Sequence, residues 1–255
     1  MKTNTHTIIY ELIRSSGGIT PRQIITAVKH HPTGIFKHLK ALQDKSHVYK
    51  VGKMPKVRYY AYTNNMPDDS KTMLPAMNWA ASGDARFATE DTLAPTRDVL
   101  HARTERLIKE LKKILPNENL IYLLTAVAGE IGNNSFDHNL GQWQDTLGVF
   151  FQLDTTARTI IIADRGQGVL ATIRRVRPDV LTDDRALEVA FTEMVSGRAP
   201  EKRGNGLKFV KKVISENYLH LTYYTGTAMA EINRRGLRIK KSTFSIPGTL
   251  AIITF

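Results

Sequence analysis

The sequence predicts an α+β protein in two parts: a small basic head of helices closed by a hairpin, and a larger part of helices and strands. Three observations predict it. Apolar spacing in the first sixty-three residues is helical three times and then alternates twice, the two periods that helices and strands impose. Positive charge is concentrated in the same stretch: residues 1–63 hold eleven Lys or Arg against two acids, Glu11 and Asp44, a net of +9 in a chain of net +12. The rest of the chain interleaves helical patterns with short strand-like runs. With 255 residues there is room for one large or two small domains, and a hydrophobic fraction of 42% can fill a core. The absence of cysteine excludes disulfides, thiolate zinc sites and cysteine nucleophiles, and fits a cytoplasmic protein. No run of eighteen apolar residues predicts a membrane span, and the first six residues lead into no signal-peptide core.

In the head, residues 1–63, Ile8, Ile9, Leu12 and Ile13 make the first helical stripe, which Gly17-Gly18 ends. Thr20 and Pro21 read as an N-cap followed by proline at the first helical position. Ile24, Ile25 and Val28 make the second stripe, and Lys29-His30-His31-Pro32 breaks it. Thr33 is placed to cap a third helix with Ile35, Leu39 and Leu42 inward and Gly34, Lys37, His38 and Lys40 outward. Two alternating runs, 47–51 and 57–62, flank Gly52-Lys53-Met54-Pro55-Lys56, a hairpin with a basic tip.

This order resembles the winged helix-turn-helix family. The resemblance implies that the third helix enters the major groove of double-stranded DNA with Thr33, Gly34, Lys37 and His38 near the bases. Lys53, Lys56 and Arg58 would lie on the backbone or minor groove, where lysine gives sequence-independent affinity through counterion release. Winged helices also dock proteins, so a protein partner is the alternative.

Residues 64–96 read as a connector. Asn64-Asn65-Met66-Pro67-Asp68-Asp69-Ser70 is turn-rich and acidic. Leu74, Pro75, Met77 and Trp79 follow, then little periodicity to Pro95. This is a linker or a strap, and Trp79 favours packing because a large aromatic is costly to leave in water. From 96 to 115 the pattern is helical through Val99, Leu100, Leu107, Leu111 and Ile114. An amphipathic helix on the next core is preferred over a dimer or signalling helix, and a homodimer stays open.

The chemistry begins after the apolar run 120–128. Glu130, Asn134 and His138 fall on one helical face. They are either a solvated face or a site in which the Glu orients a water and the Asn oxygen ligates Mg²⁺. Runs 147–153 and 159–163 predict a hairpin that leads into Asp164-Arg165-Gly166-Gln167-Gly168. Two glycines there let backbone approach a flat ligand, and the Asp can accept a hydrogen bond from an exocyclic amine. Helical patterns at 169–176 and 184–194 precede a charged segment, 196–203. Gly204-Asn205-Gly206-Leu207 then opens a helix over 208–216, whose first N–H groups suit a phosphate. Four strand-like runs close the chain: 219–224, 229–233, 237–241 and 249–255.

Over residues 97–255 these motifs, in this order, resemble the GHKL ATPase superfamily of gyrase-type topoisomerases, a heat-shock chaperone, mismatch-repair proteins, histidine kinases and anti-sigma serine kinases. The resemblance implies a Bergerat-type α/β sandwich, with helices on one face of a mixed, largely antiparallel sheet, and ATP and Mg²⁺ between the layers. It makes Glu130 the catalytic base, Asn134 the Mg²⁺ ligand and Asp164 the partner of the adenine amine, beside Gly166 and Gly168. Gly204, Gly206 and Leu207 become the second glycine box, and 196–203 a lid whose Arg203 reaches phosphate. His138 approaches a phosphate or is a structural helix-end histidine. Lys208 stands where many kinases have a third glycine. No helical module with a phospho-accepting histidine precedes the motifs, which argues against a sensor histidine kinase. The expected function is an ATP-binding, weakly hydrolysing, DNA-binding transcription regulator whose nucleotide state controls the head. The alternative is an anti-sigma-like serine/threonine kinase whose head docks a protein.

Overall fold

A computed structural model describes residues 5–16, 18–44, 48–51, 57–61, 70–139, 141–194 and 206–255. They divide into two units, 1–82 and 83–255.

In the first unit, α1 (Thr5–Ser16), α2 (Pro21–Val28) and α3 (Pro32–Asp44) precede a hairpin of β1 (Val48–Val51) and β2 (Arg58–Ala61). The start of α2 follows from its sequence. The Thr20 hydroxyl accepts from Gln23 N at 3.3 Å and the Gln23 side chain accepts from Thr20 N at 2.9 Å, a reciprocal capping box. Thr33 does not cap α3 as expected: the helix begins at Pro32, two residues before the Gly34 start that such a cap would set, and Ile35 N bonds back to His31 O. Proline is already shaped for the first helical position, so it takes over the start. Ile19 exchanges two backbone hydrogen bonds with Tyr59, at 3.0 and 2.7 Å, and so adds a third short strand to the hairpin. Ile9, Ile13, Ile24, Ile35, Leu39 and Leu42 fill the core. This is the winged arrangement.

The connector is not uniform. Ser70–Ser82 is a helix, α4, with Pro75 inside it and with Ala76, Trp79 and Ala80 buried. A proline and a weak stripe hid this helix from sequence reading. Leu93–Ala94, after a 3₁₀ turn at Ala85–Phe87, is an edge strand, β3.

The second unit is a five-stranded antiparallel sheet in the order β3-β4-β5-β7-β6. Its other strands are β4 (Val149–Asp154), β5 (Thr159–Asp164), β6 (His220–Asn233) and β7 (Gly236–Thr254). Alternate residues, including Val149, Phe151, Ile160, Ile162, Leu221, Ala251 and Ile253, form one core with the helices. Those helices are α5 (Arg97–Leu111), α6 (Glu118–Asn139), α7 (Gly168–Arg174), α8 (Asp183–Thr192) and α9 (Gly206–Glu216). They therefore share one face of the sheet. Phe150, Ile161, Ala163, Leu250 and Ile252 point to the opposite face and are buried too. The four strand-like runs expected at the end of the chain merge into two long strands. The chain bends at Gly226 (φ +52°) within a bulge and does not turn back, because the Asp183 carboxylate accepts from Thr227 N and Thr227 Oγ1 at 2.8 and 2.9 Å.

Candidate functional site

Helix α6 organises the second unit's polar groups. Its apolar first half, Ile121, Leu124, Val127, Ala128 and Ile131, seats it on the sheet. That seating leaves two polar rows in the second half. Glu130, Asn134 and His138 are partly exposed on one row, while Ser135 and Asn139 are buried on the adjacent one.

The buried row meets Asp164, which is 1% exposed at the end of β5. One carboxylate oxygen accepts from Ser135 Oγ at 2.9 Å and Thr249 Oγ1 at 2.5 Å. The other accepts from Asn139 Nδ2 at 3.1 Å and Gly166 N at 2.8 Å. The carboxylate's four acceptor positions are thus filled. Burial pushes the Asp164 carboxyl above its ordinary range, and the four donors pull it back. Tyr223 is buried close by and its hydroxyl is pushed above its usual range by burial and by the Asp164 charge.

The loop after Asp164 is shaped by glycine. A Cβ on Gly166 would overlap the Asn139 amide, and Gly168 has φ +77° with Pro247 O 2.9 Å from where a Cβ would stand. Asn139 Oδ1 accepts from Gln167 N at 3.0 Å, and the Gln167 side chain donates to His138 O. Arg165 turns away from this cluster. Its guanidinium forks onto Asp145 at 2.7 and 2.5 Å with a side chain only 6% exposed. It also lies against Gly83, where a Cβ would come within 2.7 Å of Arg165 Nε and the backbone has φ +64°. Only a glycine suits that close approach in a left-handed conformation.

Glu130 reaches the start of α9. A Cβ on Gly206 would overlap its carboxylate, so the glycine there is what lets the two elements meet. Leu207, next in the helix, is half-buried and packs against the core. Lys208 turns back and donates to Glu193 O at 3.0 Å at the end of α8. Arg203 and Gly204, with the rest of the expected lid, lie outside the described residues.

In the head, Thr33 and Lys37 are exposed on α3, and Gly34 and His38 are half-buried. The His38 ring lies 5.8 Å from that of His6 and 6.3 Å from that of His30. A Cβ on Gly34 would come 2.8 Å from the His30 ring, so this glycine lets the α2–α3 turn pack onto α3. Arg58 is exposed, but its guanidinium donates to Gly18 O at 2.9 Å, a tie between β2 and the turn after α1. Lys53 and Lys56 lie outside the described residues.

Sequence reasoning passed over Ser135, Asn139, Thr249, Asp145 and Gly83. The signal for the first two was available: they repeat at i and i+4, one residue off the Glu130 row. Thr249 and Asp145 are distant in sequence and carry no local mark. Among the described residues no cluster of three His, Cys, Asp or Glu side chains could hold a metal ion, and no helix is long and apolar enough to cross a membrane. A groove of about 980 Å³ beside α8 and β7, with Leu181, Asp184, Lys211, Ile239 and Lys241 among its lining, includes none of the residues around Asp164 or on the Glu130 row.

No protein-family model and no curated protein sequence matches this chain. Two solved structures share weak likeness with it. One is assigned as an ICLR transcriptional regulator from a Silicibacter species, with a TM-score of 0.20 and 6% identity, covering 98% of this chain and 84% of that one. The other is HmgR of Pseudomonas aeruginosa, with a TM-score of 0.20, 12% identity and the same coverages. At such scores neither carries an argument about this chain.

Proposed function

We propose that this chain is a DNA-binding transcription regulator whose second unit takes ATP with Mg²⁺, the nucleotide state setting how the head engages DNA. One observation carries the reading. A single helix, α6, meets both described segments that the motif order singles out, the loop after β5 and the start of α9. Glu130 meets Gly206, Ser135 and Asn139 meet Asp164, and the His138 carbonyl meets Gln167.

The residues fit the ligand at both ends. At the phosphate end, Gly206 opens an eleven-residue helix beside the row of Glu130, Asn134 and His138. The first-turn N–H groups of such a helix attract phosphate. Asn134 is the group to ligate Mg²⁺, and Glu130 the group to take a proton from water. At the base end, the Asn139 amide supplies a stand-in. It donates an N–H to Asp164 and accepts one from Gln167 N. The edge of adenine offers the same pair, an exocyclic amine beside a ring nitrogen. A base would take the place of this side chain and inherit both partners. In the head, the outward residues Lys37 and Thr33 on α3 suit a DNA groove, and the +9 charge of residues 1–63 suits its backbone.

Titration calorimetry with ATP and ADP in the presence of Mg²⁺ tests the site. The intact protein should bind, and Asn139→Ala should bind more tightly because nothing competes for Asp164. No heat with either protein rejects the nucleotide. DNA affinity with and without ATP·Mg²⁺ tests control, since a ligand moves an equilibrium only as far as it prefers one state. Transfer of labelled phosphate to a cellular protein would turn the reading to the kinase alternative, with Glu130 activating the acceptor hydroxyl.

A further inference from the structure

The end of the chain carries a second concentration of positive charge. Residues 64–231 hold twenty Lys or Arg against twenty-two acids, a net of −2, whereas residues 232–255 hold five Lys or Arg and no acid. All five lie between 234 and 241, on the part of the β6–β7 hairpin that leaves the sheet. There β6 and β7 pair only with each other, because β5 pairs with β7 from Thr249 onward. Ala228, Ala230, Ile232, Leu237 and Ile239 pack this ribbon onto the core. The ribbon is therefore a fixed surface with Arg238 and Lys240 exposed.

Two positions at its tip hold residues that neither backbone nor core requires. The first is the turn. Asn233 Oδ1 accepts from Arg235 N at 2.8 Å, and Gly236 has φ +107°. Those two residues satisfy the turn, and the central pair of such a turn accepts most side chains. Here both are exposed arginines, Arg234 and Arg235. The second is Tyr218, the left-handed residue (φ +58°) that follows α9, where Asn217 N bonds to Val213 O and Leu219 N to Ile214 O. Glycine is the favoured residue at such a helix end, and a bulky residue there is strained. Tyr218 is nevertheless present and 74% exposed, and the Arg234 guanidinium lies 4.6 Å over its ring. The stack holds Arg234 in place before any ligand arrives.

We infer that this tip, Tyr218 with Arg234, Arg235 and Arg238, is a second nucleic-acid contact, and that its ligand is the sugar–phosphate backbone of duplex DNA. Arginine forks match phosphate oxygens. Glu231, the cross-strand partner of Arg238, accepts Lys240 at 2.6 Å, and Asp183, Asp184 and Glu188 lie in the groove on the side of Lys240 and Lys241, away from the turn. The ligand is DNA and not an acidic protein because a two-stranded ribbon with arginines at its turn matches a duplex groove and the phosphates at its edge, and because the head's charge would hold a duplex on the same molecule. The contact is independent of the nucleotide site.

The test is the salt dependence of duplex binding by the full chain. It uses fluorescence anisotropy on a 30-base-pair duplex of arbitrary sequence. Each phosphate contact adds about 0.9 to the slope of log K against log salt. The triple variant Arg234→Ala, Arg235→Ala, Arg238→Ala should make that slope shallower by about 2 to 3 while its urea midpoint stays put. Tyr218→Gly should melt at a higher temperature yet bind DNA more weakly, a pairing that a merely structural tyrosine would not show. Lys37→Ala serves as the control for the head: it should weaken binding with the ribbon intact. A triple variant with an unchanged slope overturns the ribbon contact and leaves the head's role standing. So does loss of affinity for polyglutamate without loss for DNA, which would mark an acidic-protein surface. A wild-type chain that binds no duplex at low salt overturns both.

Discussion

The head and the second unit keep their polar groups in opposite places. Among the described residues of the head, none of the buried side chains is charged or strongly polar, and its core is apolar apart from the Tyr59 ring. Its charge lies outside. In the second unit, Ser135, Asn139, Asp164, Arg165, Thr225 and Thr249 are buried around one loop. Burying polar groups costs free energy unless each is paired. A cluster of six is therefore informative in a way that surface charge is not. The head's charge lies where salt screens it; the second unit's buried polar groups are paired with one another out of water.

The largest expected effect breaks that network. Asp164→Ala would take the carboxylate from four donors, one of which, Ser135, has another acceptor in Ile131 O at 3.3 Å, and the second unit should lose about 3–5 kcal/mol by urea unfolding. A loss below about 1 kcal/mol would mean the carboxylate is dispensable. Asp164 also gives the network a pH dependence of known sign. Its folded pKa is raised by burial from the ordinary 3.8, so the folded state holds its proton more tightly than the unfolded one. Its contribution is full below about pH 4 and falls as pH rises through the raised value. The slope should vanish in Asp164→Asn.

Next in size is a break in the head's core. Leu39, 1% exposed, should cost about 3 kcal/mol when cut to alanine. If the two units are independent, the head transition should move alone in differential scanning calorimetry. A smaller change sharpens the local account: Thr20→Ala removes half of the capping box and should cost about 1 kcal/mol in the same transition. The smallest stability effect belongs to Lys37→Ala. It should change stability by less than about 0.5 kcal/mol yet lower DNA affinity, separating the exposed function from the folded frame.

How far each unit was legible follows from the same contrast. The head's three stripes, the Thr20-Pro21 helix start and the two strands of the hairpin are local patterns, and the structure has them at nearly the expected bounds. Thr33 was misplaced because Pro32 competes for the same helix start. Helix α4 was missed because Pro75 interrupts its stripe. In the second unit Glu130, Asp164, Gly166 and Gly206 stood out because glycine and carboxylate mark loops and helix ends. Asp164's partners did not. Thr249 is eighty-five residues away, and no periodicity links a strand to a residue across the sheet.

By itself the sequence determined which segments are helical, where the charge gathers, and which loops carry glycine beside a carboxylate, because spacing and backbone freedom are local properties. Tertiary structure alone decided that Asp164 is saturated, that Asn139 bridges Asp164 and Gln167, and that Arg165 packs on Gly83. Those are pairings between distant residues, and burial makes them compulsory only once the sheet and α6 have come together.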